Sequence, residues 1–526
     1  MLRSYTLTCL LLLTTVSYAT RYYVHASATG NGTGLSWTNA YVDLQEALSV
    51  VIPGDEVWVA AGQYKPTAGT SRTIAFNMRN GVSLFGGFAG NEASLDQRNI
   101  AMNPTVLNGD IGEIGTSSDN SHTVVTVDQL TSATSLDGFR IMNGYSASGN
   151  SYHGAGLRVT NTLGGAFVLR NCTLVNNYSG TYGGAIYMAS ANLTIDHCEF
   201  INNQAGTGGD GGAIYNGNNN GGYSPLEIRN SVFKSNSARR GACIFGGLDF
   251  ATLLIDRCIF TNNTSEYSII EMDGFTTASI RNSYIIGNTV NGSSSNVFRI
   301  QTSSANEVMT MSNCTFAQNF NLYVSPGSEA IRIYGTHHRI TNSIVYGNTA
   351  YAGRQVSTGM GISNSIVQGG HTSGTDIIDQ DPLFVMPSPG TNTNFDASLF
   401  DYTLLYSSPG INVGNNALVD PLSVLDLTGN DRIQGGVVDL GCYESNLFLH
   451  LPGTGSGNEQ LFFDAQQQEL RTLKATTNVQ VEILDLSGRM IIRFGMTGNA
   501  ARIDLPAGAY LAKATGYSVL RFVIEH

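Results

Sequence analysis

A repeat in the middle of the chain strongly limits what the chain can fold into. A cysteine or serine recurs about every 28 residues. An apolar residue stands three positions before it, a large apolar residue two positions after it, and usually an asparagine five positions after it. Side chains two apart share one face of a strand, whereas an odd spacing of three requires a sharp turn in between. The small residues are Cys172, Cys198, Ser231, Cys258, Ser283, Cys314, Ser343 and Ser365.

The residue before each small residue indicates where that turn lies. It is asparagine in most repeats, with His197 and Arg257 as the exceptions. Asparagine tolerates left-handed backbone angles, and asparagines stacked in successive coils can bond one another as a ladder. The repeat therefore predicts a parallel β-solenoid with coils about 4.8 Å apart. We expect stacks of isoleucine, of phenylalanine and of cysteine or serine in its interior.

A second motif, Gly-Gly-Ala-Ile, stands at residues 183–186 and 211–214 and then breaks down in "SARRGACIFG", residues 237–246. Aligning this stretch on the motif places Arg240 at the first glycine and Cys243 at the isoleucine. Arg239 and Arg240 are then expected in an outward turn, with Cys243 pointing inward.

Six cysteines follow residue 19, and most of them belong to the repeated small position. Side chains stacked in parallel have poor geometry for a disulfide, even for the neighbouring pair Cys172 and Cys198. The sequence predicts reduced thiols that fill the interior as small apolar groups. A disulfide or a metal site is the alternative, although no Cys-x-x-Cys or His/Cys metal spacing is present.

The start of the chain has the features of an exported protein. Residues 1–19 combine Arg3, an apolar stretch and a small-residue cleavage site at Ala19, which predicts a secretory signal. Residues 37–51 predict a short amphipathic helix with Asn39 as N-cap. Such a helix would cap the open end of the solenoid, and a strand is expected within residues 53–64.

Several segments resemble known families of exported proteins. "GDEVWVAAGQYKP", "GVSLFGGFAGNE", "LDQRN" and "NPTVLNGDIG" resemble the opening of right-handed β-helix proteins of Bacteroidetes-type bacteria. The repeated GGAI and FxxN are similar to those of chlamydial polymorphic outer-membrane proteins, which are adhesin-like. "DPLF", "DYTL", "SPGINVG", "DLTGNDR" and "VDLGCYE" resemble the closing segment of bacterial β-helix proteins, which implies that the solenoid ends near residue 445.

The last part of the chain changes character after a polar linker at residues 451–460. Residues 479–494 and 501–515 predict hairpin strands, with turns at Ser487-Gly488 and Pro506-Ala507-Gly508. This part is similar to the C-terminal sorting domain of the type IX secretion system, a small β-sandwich. The resemblance implies that the type IX machinery is a partner and that the protein is secreted across the outer membrane, either attached to the cell surface or released.

These features predict an all-β chain: a right-handed parallel β-helix with an N-terminal capping helix, followed by a small C-terminal β-sandwich. The expected divisions are residues 1–19 (signal), 20–130 (cap and first coils), 131–370 (regular coils), 371–445 (closing segment), 446–460 (linker) and 461–526 (sorting domain).

Composition limits the possible partners. The net charge is −12, with 27 Lys and Arg against 39 Asp and Glu, which argues against nucleic-acid binding. After the signal, no run reaches the roughly 18 apolar residues of a membrane span.

The residues of β-helix enzymes that cleave acidic polysaccharides are missing from the sequence pattern. "SYHGAG" is only a fragment of the hydrolase motifs, so His153 is expected to be an exposed turn residue. Asp196 and Asp256 are expected to be turn residues beside the asparagines. No carboxylate cluster is evident, and no catalytic residue, cofactor or metal ligand is predicted, while a calcium ion stays an open alternative.

The remaining candidate site is a basic patch of Lys234, Arg239 and Arg240, with Arg229 and Arg257 in neighbouring coils. Such a patch on an acidic protein could bind an anionic glycan, or its arginine stems could simply cover apolar surface. We therefore expect a non-catalytic surface protein for adhesion or glycan binding. A secreted polysaccharide lyase or glycoside hydrolase is the alternative, and a structural stalk is a third possibility.

Overall fold

The chain winds into stacked coils whose strands form three parallel sheets. This computed structural model describes residues 19–524 except 148, 150, 151, 163, 218–223, 248–249, 302–306, 336, 391–392, 406, 435, 446–460, 465–468, 486–488, 507 and 515–519. The predicted signal, the predicted linker and the Ser487-Gly488 turn therefore lie outside the described residues, except for Ala19. The strand pairing confirms a parallel β-solenoid.

Most coils contribute two strands to one large sheet of 23 strands. They are Arg21–Val24, Glu56–Ala60, Gly62–Tyr64, Ser83–Phe88, Thr105–Asn108, Thr134–Asp137, Phe139–Met142, Phe167–Arg170, Thr173–Val175, Leu193–Asp196, Glu199–Ile201, Leu226–Arg229, Val232–Lys234, Phe250–Asp256, Ile259–Thr261, Phe275–Arg281, Tyr284–Ile286, Val308–Ser312, Thr315–Ala317, Arg339–Thr341, Ile344–Tyr346, Gly361–Val367 and Thr375–Ile378.

Two smaller sheets complete each coil. The nine-stranded sheet contains Phe76–Asn77, Val125–Asp128, Leu157–Thr160, Ile186–Ala189, Ile214–Gly217, Ile244–Gly246, Ile270–Asp273, Phe298–Gln301 and Ile331–Ile333. The seven-stranded sheet contains Tyr145–Ser146, Tyr178–Ser179, Gln204–Ala205, Ser237–Ala238, Thr264–Ser265, Thr289–Val290 and Phe320–Asn321.

The large sheet bends at the predicted turn. Asn171, Asn230 and Asn282 have φ values of 50°, 50° and 48° there, and His197 and Arg257 adopt the same left-handed conformation. The predicted turn is confirmed. The predicted hydrogen-bonded ladder between these asparagines is wrong, because their amides bond aspartates instead: Asn171 with Asp137, Asn230 with Asp196, and Asn282 with Asp256.

The ladder is formed by the other asparagine series, five positions after the small residue. From Asn177 to Asn319, each side-chain Nδ2 donates to the Oδ1 of the asparagine in the next coil, over distances of 2.9 to 3.1 Å. Each Oδ1 also accepts a backbone N–H from the coil before. These amides are buried, so the ladder satisfies polar groups inside the solenoid. Its members are Asn177, Asn203, Asn236, Asn263, Asn288, Asn319 and Asn348.

The interior contains the expected stacks. The rings of Phe200 and Phe233 lie 4.6 Å apart and those of Phe233 and Phe260 4.8 Å apart, each pair nearly parallel. The six cysteines are free and buried, which confirms the prediction of reduced thiols. The interleaved serines have a different role, because Ser231 Oγ and Ser283 Oγ each accept a backbone N–H from the preceding coil.

An alternating series of charges runs up the outer face of the large sheet. The residues in register are Asp137, Arg170, Asp196, Arg229, Asp256 and Arg281. Ion pairs of 3.3 Å join Arg170 to Asp196, Arg229 to Asp256 and Arg281 to Asp256. Asp196 and Asp256 are thus the last residues of strands and partners in this series, and Arg229 belongs here rather than to a separate basic patch.

The N-terminal cap contains one α-helix, shorter than predicted. It spans Leu44–Val50, and Asp43, not Asn39, is the N-cap, with its side chain accepting the N–H of Gln45. Leu44, Ala47 and Leu48 are buried against the first coils. Single 3₁₀ turns lie at Leu95–Gln97, Ser117–Asp119, Tyr351–Gly353, Ala397–Leu399 and Asn416–Leu418.

The segment after the last coil runs back along the outside of the large sheet. It includes the antiparallel pair Phe384–Met386 and Asp401–Leu404 and builds a second apolar core with Tyr284, Ile344 and Ile366. Its carboxylates reach the coils at two places, where Asp396 pairs with Lys234 and Asp420 with Arg281. The described residues between 381 and 444 therefore cover the outer face of later coils. The closing segment, predicted over residues 371–445, thus begins after the last strand of the large sheet, Thr375–Ile378, and the name is used below for residues 381–444.

A buried ion pair holds the end of the closing segment. Arg432 Nη2 lies 2.6 Å from Glu444 Oε2, and both side chains are about fully buried. Asp426 accepts the backbone N–H of Glu444, and Asp439 donates its own N–H to the Glu444 carboxylate. Burial raises the pKa of Glu444 to about 7, against the effect of Arg432 and with repulsion from Asp439.

The C-terminal part of the chain, residues 445–526, forms a separate compact unit. It is an antiparallel sheet with its own core around Leu470, Val481, Ile483 and Met496. Its strands are Leu461–Asp464, Glu469–Asp485, Met490–Arg502, Gly508–Ala514 and Leu520–Ile524. In the described part of the chain, none of the helices has the length and apolar character needed to span a membrane.

We expect Asn263→Ala to destabilise the solenoid by about 3 kcal/mol, because it removes the acceptor of the Asn236 backbone N–H and of one Asn236 side-chain N–H, and the side-chain donor to the Phe233 carbonyl, in the interior. Asn291→Ala, at an exposed position three residues after Asn288 and outside the hydrogen bonds of the ladder, should change stability by less than about 0.5 kcal/mol. Urea unfolding followed by circular dichroism checks both. Equal effects of the two substitutions would contradict a structural role for the ladder.

The raised pKa of Glu444 predicts a pH dependence of the closing segment. A carboxyl whose pKa is higher in the folded state stabilises that state below its ordinary pKa, and this stabilisation is lost as pH rises through about 7. Hydrogen exchange in residues 381–444, corrected for intrinsic rates, should therefore be faster at pH 8 than at pH 6. Glu444→Gln should reduce this difference, and an unchanged difference would argue against Glu444 as the titrating group.

Candidate functional site

The turn that leads into the nine-stranded sheet carries one outward residue per coil. Backbone bridges pair Tyr182 with Asp210 and Asp210 with Arg240, and His153 occupies the same position one coil earlier. The predicted alignment of "SARRGACIFG" was therefore wrong by one residue. Arg240 takes the position before the motif, and Cys243 takes the alanine position.

The first glycine of the motif explains why the register must be this one. Gly183, Gly211 and Gly241 have φ values of 66°, 72° and 59°. A Cβ at Gly183 would lie 2.3 Å from the Ile186 carbonyl oxygen. An arginine cannot take this position without strain, so the chain places Gly241 there and Arg240 in the turn before it.

A second series of outward residues runs along the nine-stranded sheet itself. Their neighbours in each strand, such as Leu157, Ile186 and Ile214, point into the core, so the residues between point outward. In register they are Thr126, Arg158, Tyr187, Tyr215, Phe245, Glu271, Arg299 and Arg332.

Aromatic rings from the two series stack on one another. The ring centroids of Tyr182 and Tyr215 lie 4.4 Å apart, and those of Tyr187 and Tyr215 5.7 Å apart with planes 7° from parallel. Phe245 continues the stack 5.3 Å from Tyr215. His153 lies 5.1 Å from Tyr187 and 5.2 Å from Tyr182. We call these five residues the aromatic ladder.

The ladder presents ring edges rather than ring faces. Its stacked rings cover each other's faces, and the Arg240 guanidinium lies 4.5 Å from the Phe245 ring centre. Tyr182, Tyr215 and His153 are half-buried, whereas Tyr187 and Phe245 are buried. Burial, followed by the neighbouring tyrosines and Asp210, raises the pKa of Tyr215, so its hydroxyl stays protonated and can donate a hydrogen bond.

A cluster of charges borders the ladder at Phe245. Arg239 binds Asp210 with both nitrogens of its fork, at 3.0 to 3.2 Å. Arg240 binds Glu271 through Nε at 3.0 Å and Asp273 through Nη2 at 2.8 Å. Glu271 is fully buried and is contacted also by Ser268 and by Arg299, whose Nη1 lies 3.6 Å away. We call these groups the charge cluster.

The carboxylates of the cluster interact with one another through their charges. Burial raises the pKa of Asp210, and Glu271 adds repulsion, while Arg239 and Arg240 oppose both. Burial also raises the pKa of Asp273, with Glu271 adding to it and Arg240 and Arg299 opposing it. For Arg240, burial lowers the pKa, but hydrogen bonds and charge from Glu271 and Asp273 raise it above its ordinary range.

The structure overturns two expectations about this face. Three carboxylates do cluster, although none was expected, and their sequence positions show why the pattern hid them. Asp210 lies in a turn, whereas Glu271 and Asp273 lie on a strand two coils later. His153, expected to be an exposed turn residue, is half-buried in the ladder, and its Nδ1 lies 2.8 Å from Thr181 Oγ1. A Gly-Ala or Gly-Gly doublet follows His153 and Tyr182 and stands shortly before Tyr187, Tyr215 and Phe245. This spacing is the signal that could have located the ladder.

The residues of the expected basic patch are not all together. Arg239 and Arg240 border the aromatic ladder, but each is paired with acidic groups of the chain itself. Lys234 lies on the large sheet and pairs with Asp396 of the closing segment, and Arg257 lies 3.9 Å from Asp256. The loop at residues 216–224 lies mostly outside the described residues. Among the described residues, no three His, Cys, Asp or Glu side chains are arranged to hold a metal ion.

No model of a known protein family matches the chain, and no curated protein matches it. The chain is similar to the solved pectate lyase Pel9A, with a TM-score of 0.43 and 15% identity over 82% of this chain and 98% of that one. It is also similar to a rhamnogalacturonan lyase, with a TM-score of 0.43 and 14% identity over 72% of this chain and 95% of that one. A third similar structure is the tailspike protein gp49 from Acinetobacter baumannii bacteriophage Fri1, a capsular polysaccharide depolymerase. Its TM-score is 0.36, with 10% identity over 96% of this chain and 77% of that one. The fold assignment rests on the strand pairing of this chain.

Removing the central acid of the charge cluster should destabilise the solenoid. Glu271→Gln leaves the half-buried guanidinium of Arg240 with Asp273 as its remaining carboxylate partner among the described residues, and we expect a loss of about 3 kcal/mol. Glu227→Gln is the matched control, because Glu227 pairs with Arg229 at the surface and should contribute less than about 1 kcal/mol. Urea unfolding measures both losses, and a neutral Glu271→Gln would mean that the cluster does not depend on this charge.

Proposed function

We propose that this chain is a secreted or cell-surface protein that binds glycans with its solenoid, without cleaving them, and serves in adhesion. The observation that carries the proposal is the aromatic ladder beside paired arginines on the nine-stranded sheet. A glycan offers many hydroxyl groups and apolar C–H edges. Tyrosine hydroxyls and ring edges can match both kinds of group.

The state of the acidic groups favours binding over cleavage. A general acid or base must be able to exchange a proton with the substrate. Glu271 is fully buried between Arg240, Arg299 and Ser268, and Asp210 is held by the fork of Arg239. These carboxylates are occupied in fixing arginines beside the ladder.

The predicted contacts Lys234, Arg239 and Arg240 take different parts in this proposal. Arg239 and Arg240 border the ladder and would contact the glycan with the guanidinium edges that their acids leave open. Lys234 would not contact the glycan, because Asp396 of the closing segment already pairs with its ammonium group.

The proposal includes the route of export. Residues 1–19 have the pattern of a secretory signal, and the last part of the chain is similar in sequence to a type IX sorting domain. A separate antiparallel unit over residues 445–526 is compatible with such a domain. The type IX machinery is the proposed partner, and the outside of the cell is the proposed location.

A second candidate, a polysaccharide lyase or hydrolase, is favoured by one observation. The pKa values of Asp210 and Asp273 are raised by burial, and raised carboxyls act as general acids in enzymes that cleave glycosidic bonds. Asp273 Oδ1 also accepts no hydrogen bond from the described residues. Asp273 is the group that this candidate would use.

Incubating the full chain with a panel of glycans distinguishes the two candidates. We expect the chain to retain a glycan without cleaving it. Cleavage is measured as the release of reducing or unsaturated sugar ends. Tyr215→Phe should weaken retention by about three- to tenfold, because one hydroxyl hydrogen bond contributes about 0.5–1.5 kcal/mol. Tyr323→Phe, at an exposed tyrosine outside the ladder, is the matched control and should bind normally.

The opposite result is equally specific. Release of sugar ends that continues with time and is abolished by Asp273→Asn would establish the enzyme and end the adhesion proposal. Retention that is the same for Tyr215→Phe and the wild type would remove the ladder as the binding site.

A further inference from the structure

One arginine at the end of the aromatic ladder differs from the others. Arg158 is the outward residue one coil before Tyr187, it is half-buried, and its guanidinium lies 5.9 Å from the Tyr187 ring centre. Three coil steps separate it from Phe245, or about 14 Å along the solenoid. Arg158 therefore lies at the opposite end of the ladder from the charge cluster.

The difference lies in its partners. At the other end of the ladder, Arg239, Arg240 and Arg299 are paired with Asp210, Glu271 and Asp273. No carboxylate among the residues that the structure describes lies within ion-pair distance of Arg158. Asp128, in the coil before, is engaged by Thr160 and Asn161. The cation at this end of the ladder thus has no carboxylate partner in the part of the chain that the structure describes.

The neighbouring imidazole does not supply a competing charge. Burial, and then the charge of Arg158, lower the pKa of His153, so the ring is neutral at pH 7. Its Nδ1 is already engaged with Thr181 Oγ1 at 2.8 Å. An anionic group that reaches this end of the ladder therefore meets the guanidinium of Arg158 beside a neutral His153 ring.

We infer that Arg158 binds the anionic oxygen group, a carboxylate or a sulfate, of an acidic glycan that lies along the aromatic ladder. The inference rests on the proposed function and specifies the class of glycan. A guanidinium can bind either group with two parallel N–H bonds. Arg239 and Arg240 are less suited, because a ligand would have to compete with Asp210, Glu271 and Asp273 for them.

The test uses the full chain and two matched pairs of immobilised polymers: polygalacturonate with its carboxyl-reduced form, and dextran sulfate with dextran. The wild type should retain an acidic polymer more tightly than its neutral partner. Arg158→Gln should lower the affinity for the acidic polymer about tenfold, because a charge-assisted hydrogen bond is lost, and leave that for the neutral polymer unchanged. Whichever pair responds identifies the carboxylate or the sulfate.

Arg140→Gln is the matched control. Arg140 likewise lacks an ion-pair partner among the described residues, but it is exposed and lies on the outer face of the large sheet. It should not alter the preference for acidic polymers. Equal losses for the two variants would mean general attraction to positive charge and would overturn the inference.

The inference and the proposed function fail in different ways. If Tyr215→Phe weakens retention but Arg158→Gln does not change the preference for acidic polymers, the inference is overturned and glycan binding stands. If none of the four polymers is retained by the wild type, glycan binding itself fails, and the assignment of Arg158 fails with it.

Discussion

The buried asparagine ladder is the interaction on which the rest of the solenoid depends. Each amide bonds the next coil through its side chain and also accepts a backbone N–H, so a coil shifted by one residue would leave several polar groups unpaired in the interior. A buried apolar stack has no such directional demand. Phenylalanine and isoleucine provide most of the burial, while the asparagines select a single register among the possible ones.

Fixed register decides what appears on the outside. Once coils are held in line, every outward position becomes a column of side chains about 4.8 Å apart, and neighbours in a column must tolerate one another. Two solutions are present in this chain. Acid and base alternate on the large sheet from Asp137 to Arg281, and rings stack on the nine-stranded sheet from Tyr187 to Phe245. Both follow from the same internal constraint.

The repeat made the solenoid predictable because its residues face the interior, where each coil must solve the same packing problem. Asn171, Cys172 and Leu174 recur for that reason, and the turn and the inward stacks were predicted from them. The asparagine ladder was assigned to the wrong series, because the sequence does not tell which of two asparagine columns is buried. The cap was likewise placed too early, because Asp43 and Asn39 are both good N-cap residues.

The site could be predicted only in part because its groups do not recur. Tyr182, Asp210 and Arg240 occupy the same turn position in three successive coils, and coils of unequal length separate them from Glu271. An error of one residue in aligning "SARRGACIFG" was enough to assign Arg240 to the wrong position. The contact between the closing segment and the coils could not be predicted, since Lys234 and Asp396 are 162 residues apart and no local pattern links them.

The arginines beside the aromatic ladder differ in their pairing, because those of the charge cluster bind carboxylates whereas Arg158 has no carboxylate partner among the described residues. A buried ion pair contributes little net stability, because desolvation offsets attraction. It does fix the position of its members: Glu271 and Asp273 hold the Arg240 guanidinium over Phe245. The charge of Arg240 is thereby neutralised by these two carboxylates. Only a cation without such a neighbour keeps its full attraction for an external anion, and in a chain of net charge −12 that attraction acts at short range. For the acidic ligand that we propose, the pairing of the arginines, rather than their number, would therefore decide where on this surface it binds.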